Sequence, residues 1–209
     1  FYLKNSNIDL AKKYFFKANS KNSESILNNY VSKSLYNWAN LTNLNQGEQD
    51  LKKINDRFKN LKKIQNAFLN CYFNNPNTSQ LFKEILSNQS TDFSRYNYFH
   101  ASYFASAGKI QDAKKIINSA LKFYPRNLLI NQYKLDLNDK DKNIFQFSCR
   151  KAEHVIAEIL YITANALSSQ SIYSLSNFYL NLAKYLNEEF ISYDTLLAEN
   201  FYKTDNLKK

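Results

Sequence analysis

Glycine and proline occur only twice each in 209 residues, and that scarcity constrains the fold more than any other feature. Sandwiches, barrels and doubly wound sheets need turn glycines at many points along the chain, and phosphate-binding loops concentrate them. The apolar residues recur at three and four rather than alternating, which is the period of a helix face. The reading that follows is all-α. Hydrophobic residues make up 44% of the chain and aromatic ones 16%, enough apolar surface for a substantial core in one domain or one elongated array.

One of the two glycines and one of the two prolines, Gly108 and Pro125, fall in one stretch, Ser94 to Asn127. Ala101 and Phe104 share one helical face, Gly108 and Lys109 make a tight turn, and Ala113, Ile117 and Ala120 form the facing stripe of a second helix. Two helices approach closely only where side chains are small, and larger residues then fill the groove between them. Gly108 suits the left-handed residue that commonly ends a helix. Pro125 cannot continue one.

This spacing resembles the tetratricopeptide repeat, a helix hairpin of about 34 residues with small residues at its contacts and a terminal proline. The resemblance implies an α-solenoid of antiparallel helix pairs with a right-handed superhelical course. It departs from the family at Asn97 and His100, where a tryptophan and a leucine are expected. A second unit aligns on 157–190, with Ala164, Leu167, Ser176, Leu180 and Ala183 at the corresponding places and Glu188 in place of the proline. Leu197, Ala198 and Phe201 begin a partial unit over 191–209. Ala11, Phe15 and Ala18 repeat the spacing of Ala113, Ile117 and Ala120, so 1–25 reads as the second half of a unit in an array that starts upstream of Phe1. Helices over 26–93 are divergent, and 128–156 is irregular, with Leu135 and Phe147 where small residues should stand. The whole is taken as one solenoid domain. The order is similar to that of bacterial tetratricopeptide proteins with a YL-x-x-x-F step like Tyr185-Leu186 to Phe190, and the frequent export of such proteins favours periplasm or cell envelope over cytoplasm.

Within the divergent part, Ser23 is the expected cap of a helix carrying Ile26, Leu27, Tyr30, Val31, Leu35 and Trp38 on one broad face. Gln46-Gly47 is expected to break the pattern before a helix with Leu51, Ile54, Phe58 and Leu61 on its apolar stripe. That helix holds the densest basic stretch, Lys52, Lys53, Arg57, Lys59, Lys62 and Lys63, with Glu48, Asp50 and Asp56 interspersed for helical pairing. The formal net charge of +10 is largely lysine. Lys, Asn, Ile, Phe and Tyr are abundant together, as AT-rich codon usage produces, so the charge is read as solvated composition, with nucleic-acid binding as the alternative.

Chemistry has little to rest on. Cys71 and Cys149 have neither CxxC nor metal-type spacing and read as buried free thiols. His100 reads as a packed histidine, and His154, five residues from Cys149, makes a weak thiol–imidazole pair at best. Glu158 and Glu199 are single carboxylates without a second to work against. No phosphate loop, HExxH or GxSxG motif is present, and no run of about 18 apolar residues that would span a membrane. The expectation is therefore no catalysis, no cofactor and no metal.

What the resemblance implies instead is recognition by the concave face of the first helix of each unit. Its groove-facing places hold Arg95, Tyr98, Ser102 and Ala105, then Glu158, Tyr161, Asn165 and Ser168, then Ser192, Thr195, Glu199 and Tyr202. Tyrosines among mixed polar groups suit a protein or peptide segment. Tyr98, Tyr161 and Thr195 stand where a basic clamp for a terminal carboxylate would be expected, which disfavours a chaperone-tail receptor. A basic solenoid for nucleic acid and the accessory superhelical part of an envelope enzyme are the rival readings.

Overall fold

The computed structural model describes residues 1–5, 7–20, 25–87, 92–139 and 144–206. Among them it contains eleven α-helices, a single 3-10 turn and no strand. The helices are α1 (Ile8–Ser20), α2 (Ile26–Ala39), α3 (Leu44–Lys52), α4 (Lys59–Tyr72), α5 (Thr78–Leu86), α6 (Tyr96–Ser106), α7 (Ile110–Phe123), α8 (Leu128–Asp136), α9 (Ala152–Ser168), α10 (Tyr173–Leu186) and α11 (Ser192–Asn206). None of the described helices is long and apolar enough to cross a membrane. The chain forms two compact units, one of Phe1–Phe58 with Lys151–Lys209 and one of Lys59–Arg150.

In the first unit, sequence neighbours pack as hairpins, α1 on α2, α9 on α10 and α10 on α11, while α2 also packs on α9. The last contact is long-range in sequence and joins the two halves of this discontinuous unit. Ser23 lies outside the described residues; the Ser25 hydroxyl caps α2, accepting the Asn28 N–H at 3.3 Å. Tyr30, Val31 and Trp38 are buried from the expected face, whereas Ile26 is exposed. Gly47 breaks nothing. It lies buried inside α3, whose start is set by Asn43, its side chain accepting the Gln46 N–H at 2.9 Å. The expected basic helix is likewise interrupted: α3 ends at Lys52, a 3-10 turn spans Asp56–Phe58, and α4 begins at Lys59. The Asn55 side chain accepts the Arg57 N–H at 2.9 Å, and such local bonding competes with helix continuation.

In the second unit, α4 packs on α5, α5 on α6, α6 on α7 and α7 on α8, with α8 also reaching α6. Its core is aromatic: the fully buried Phe68 ring has Phe82, Tyr96, Phe99 and Phe147 at centroid distances of 5.9, 6.3, 5.1 and 5.5 Å. Phe147 thus has a core role although it breaks the repeat spacing, while Leu135 is exposed. Thr78 opens α5 without capping it; its hydroxyl donates to the Asn75 carbonyl at 2.7 Å. Cys71 and Cys149 are not free thiols: they are joined as a disulfide with Cα atoms 5.9 Å apart. Their sequence separation of 78 hid the pairing, because nothing local brings them together.

One turn recurs. After α4, α6 and α9, a residue with positive φ, Asn74 at 54°, Gly108 at 75° and Ser171 at 61°, is followed by an N–H bonded five residues back. These bonds are Asn75 to Asn70 at 2.8 Å, Lys109 to Phe104 at 2.9 Å and Ile172 to Leu167 at 2.9 Å, the Schellman arrangement that satisfies open helix carbonyls. The Asn7 N–H makes the same five-back bond to Tyr2, at 2.9 Å, just before α1. Gly108 has open space around its missing Cβ, so Gly108→Ala should cost only the left-handed backbone penalty, about 1 kcal/mol, and Ser171→Gly should gain a similar or smaller amount. Urea midpoints of the two variants check both signs.

Candidate functional site

The bond before α1 places its first turn in register with those of α7 and α10. Four, eight and eleven residues after Asn7, Lys109 and Ile172 stand the stripes Ala11–Phe15–Ala18, Ala113–Ile117–Ala120 and Ser176–Leu180–Ala183. In α7 and α10 all six stripe residues are buried, α6 packing on α7 and α9 on α10. The Ser176 hydroxyl donates to the Ala164 carbonyl of α9 at 2.8 Å, which shows the stripe facing its covering helix. In α1 only Ala11 is buried; Phe15 is half-buried and Ala18 exposed. The difference is a cavity.

That cavity, about 560 Å³, lies within the first unit, and its size is in the range of ligand sites. Ala11, Tyr14, Phe15 and Ala18 of α1 form one wall, Val31, Ser32 and Leu35 of α2 another, and Ile156 and Leu160 of α9 contribute to the lining. Phe178, Tyr179, Leu182, Tyr185 and Leu186 of α10 complete it, with Phe1, Tyr2 and Leu3 at one end. Tyr14, Phe178, Leu182 and Tyr185 are exposed despite their size, Phe178 by 55%. A contiguous exposed apolar surface marks an interaction site more often than isolated apolar residues do. The rim is cationic: Lys4 lies over the Tyr185 ring at 4.5 Å and Lys17 over the Tyr14 ring at 5.7 Å, a favourable placement of charge on ring faces. Lys4 is also paired with Glu188. Burial pushes the Tyr179 phenol above its ordinary range.

The groove residues inferred from the sequence fall into both units. Arg95, Tyr98 and Ser102 belong to the second. There Tyr98 is only 2% exposed, its ring 4.6 Å from that of Tyr133 on α8, and Ser102 is also buried. The α8 helix covers the face that a free concave surface would leave open, so neither side chain is available to a ligand in this conformation. Arg95 is half-buried, its guanidinium 5.5 Å from the Phe99 ring centroid. In the first unit Glu158 is fully buried on α9, a helix packed by α2, α10 and α11. Tyr161 is half-buried with its ring 5.6 Å from Tyr193. Asn165, Thr195, Glu199 and Tyr202 are exposed, Tyr202 by 71%, and Glu199 pairs with Lys203 at 2.6 Å. Ser168 is buried in a polar cluster: its hydroxyl donates to Asn200 at 2.5 Å, and the Asn200 amide donates to Ser176 and Asn177, each at 2.8 Å.

The two histidines are packed side chains. His100 Nε2 is 2.9 Å from the Ser79 hydroxyl, with the Phe82 ring stacked at 5.7 Å. Burial, with Lys83 second, lowers the His100 pKa to about 4; burial, with Lys151 second, lowers that of His154 to about 4. The Cys149–His154 pairing does not arise, since the sulfur is committed to Cys71. Among the described residues no group of three or more His, Cys, Asp or Glu could hold a metal ion.

Both histidines are neutral when folded and would take up protons near pH 6.5 when unfolded. Their contribution is therefore fully present above pH 6.5 and lost as the pH falls toward 4. For His100 the loss is at most about 3 kcal/mol. Urea midpoints between pH 7 and 4 should fall less steeply in His100→Gln, which cannot take up the proton; an unchanged slope would remove His100 from the account.

The sequence reading marks Ala11–Phe15–Ala18 as a stripe whose covering helix would stand upstream of Phe1, but not the wall that α10 adds to the cavity. The available signal was the second apolar stripe of α10, Phe178, Leu182 and Tyr185, at spacings of four and three on the side away from its buried stripe. No protein-family model, curated protein or solved structure matches this chain.

Proposed function

We propose that this chain is a non-catalytic, protein-binding helical scaffold of the tetratricopeptide type. Its helix hairpins would be the units of an α-solenoid, and its ligand a protein or peptide segment. The observation that carries the reading is the open apolar cavity of the first unit, walled by the exposed Tyr14, Phe178, Leu182 and Tyr185. Recurrent Schellman turns and small-residue stripes support the repeat family. Exposed Asn165, Thr195, Glu199 and Tyr202 are the groove candidates that a segment bound to the first unit could also reach. The Cys71–Cys149 disulfide favours an oxidising compartment such as the periplasm.

The test is a purified complex rather than a survey of contacts. The full chain used as bait should retain a polypeptide in stoichiometric amount after nuclease treatment and at about 200 mM salt, and Phe178→Asp with Leu182→Asp should abolish retention. The alternative, a basic solenoid holding nucleic acid, requires binding that falls steeply between about 50 and 200 mM salt. That outcome would replace the scaffold reading. An envelope enzyme as the retained polypeptide would identify this chain as its accessory part.

A further inference from the structure

We infer that a second, polar pocket of the first unit is a binding site for a small organic carboxylate, a monoanion carried on an apolar or aromatic body. The pocket, about 260 Å³, lies between α2 and the turn that follows α3. Four of its lining side chains, Asn29 and Lys33 of α2 and Lys53 and Asn55 of the turn, carry hydrogen-bond donors, and no lining residue is acidic. The ring pair of Tyr30 and Phe58, with centroids 4.5 Å apart, and the buried Ile54 supply its apolar wall. A volume below the range of drug-sized sites limits the occupant to a small molecule and leaves no room for a helix.

Charge selects among small molecules. Lys33 is half-buried on α2, and among the described residues no carboxylate pairs with it. A partly desolvated ammonium attracts an anion more strongly than one in open solvent. Lys53, the one residue of the dense basic run that lines the pocket, differs: its ammonium is 2.7 Å from Asp50, a carboxylate on α3 that also accepts the Gln46 amide. The pocket therefore holds one uncompensated positive charge and one already neutralised, which suits a carboxylate better than the dianion of a phosphate monoester. The Asn55 side-chain oxygen accepts the Arg57 N–H at 2.9 Å, leaving its NH2 group to donate. Backbone bonds hold this turn in advance, from the Ile54 N–H to Leu51 at 3.2 Å and from the Phe58 N–H to Asn55 at 3.0 Å, so binding orders little of it. The apolar wall favours an organic body over a hydrated inorganic anion.

Phenylacetate is the probe, titrated into the full chain and followed by amide NMR. Shifts should saturate in about the millimolar range, the scale for a ligand of this size, and cluster in residues 26–33 and 53–58. Phenylacetamide, the same body without the charge, should bind at least about tenfold more weakly, and phenyl phosphate no more tightly than phenylacetate. Lys33→Gln should weaken phenylacetate about tenfold, while Lys33→Arg, which keeps the charge, should hold it within about threefold. Lys13→Gln removes the same charge from an exposed position outside the lining and should change nothing. Asn29→Trp, which adds a ring at an exposed helical position of the lining, should block the pocket. Unchanged urea midpoints keep these comparisons valid, and if Lys33→Gln does not fold, Asn29→Trp decides. Equal affinity for the amide, indifference to Lys33→Gln and Asn29→Trp, or shifts that cluster elsewhere would overturn the inference. So would tighter binding of phenyl phosphate, which would make this a phosphate site, or displacement of the probe by a thymidine oligonucleotide at far lower concentration, which would assign the surface to nucleic acid. These readouts are separate from the retention of a polypeptide, so failure here leaves the scaffold reading standing.

Discussion

Replacing Phe68 with alanine should destabilise the second unit by about 3–5 kcal/mol, the range for losing a buried aromatic ring together with the cavity it leaves. The site cannot collapse cheaply. Phe68 is fully buried, and the rings of Phe82, Tyr96, Phe99 and Phe147 approach it from α5, α6 and the segment before α9. One substitution therefore strips a contact from several elements at once. Phe68→Leu, which keeps most of the volume, should cost about 1–1.5 kcal/mol. Denaturant midpoints by far-ultraviolet circular dichroism measure the size of the loss, and hydrogen exchange over residues 59–150 locates it. Equal effects of the two substitutions would mean that ring packing is not what organises this core.

Breaking the disulfide should be nearly as costly. Cys71 lies on α4 and Cys149 at the far end of the second unit, with a sequence separation of 78. Closing a loop of that length removes about 4–5 kcal/mol of chain entropy from the unfolded state on the simplest account, and measured losses of native bridges centre near 2–4 kcal/mol. Cys71→Ser with Cys149→Ser, or dithiothreitol, should lower stability by an amount in that range. Thiol titration of the oxidised protein in denaturant should find none, and two after reduction. Two free thiols before reduction would contradict both the bridge and the oxidising compartment drawn from it.

These two expectations differ in how far the sequence announces them. The helices themselves are legible because their causes lie within a few residues. Gly108 occupies the left-handed position that ends α6, α7 stops at Phe123 before Pro125, and the buried stripes of α7 and α10 fall at the expected spacing. The break between α3 and α4 is not legible in the sequence, because a charged, apolar-periodic stretch satisfies a helix pattern even where Asn55 bonds the chain into a turn.

Of the candidate site, the sequence exposed the stripe of α1 and the tyrosines, but not which of them face solvent. Tyr98 and Ser102 are buried because α8 packs over α6, and Glu158 because α9 is enclosed by helices that include α2 from the other end of the chain. Each of these outcomes depends on a partner surface that helical periodicity does not specify.

What the sequence by itself determined was therefore the all-helical architecture, the hairpin turns and the small-residue contacts, since hydrogen bonds and side-chain neighbours at three to five residues decide them. The tertiary structure alone decided the Cys71–Cys149 bridge, the pairing of α2 with α9 and the meeting of α1 and α10 around one cavity. All three depend on residues far apart in the chain meeting or failing to meet, and a local pattern fixes which face is apolar without fixing what covers it.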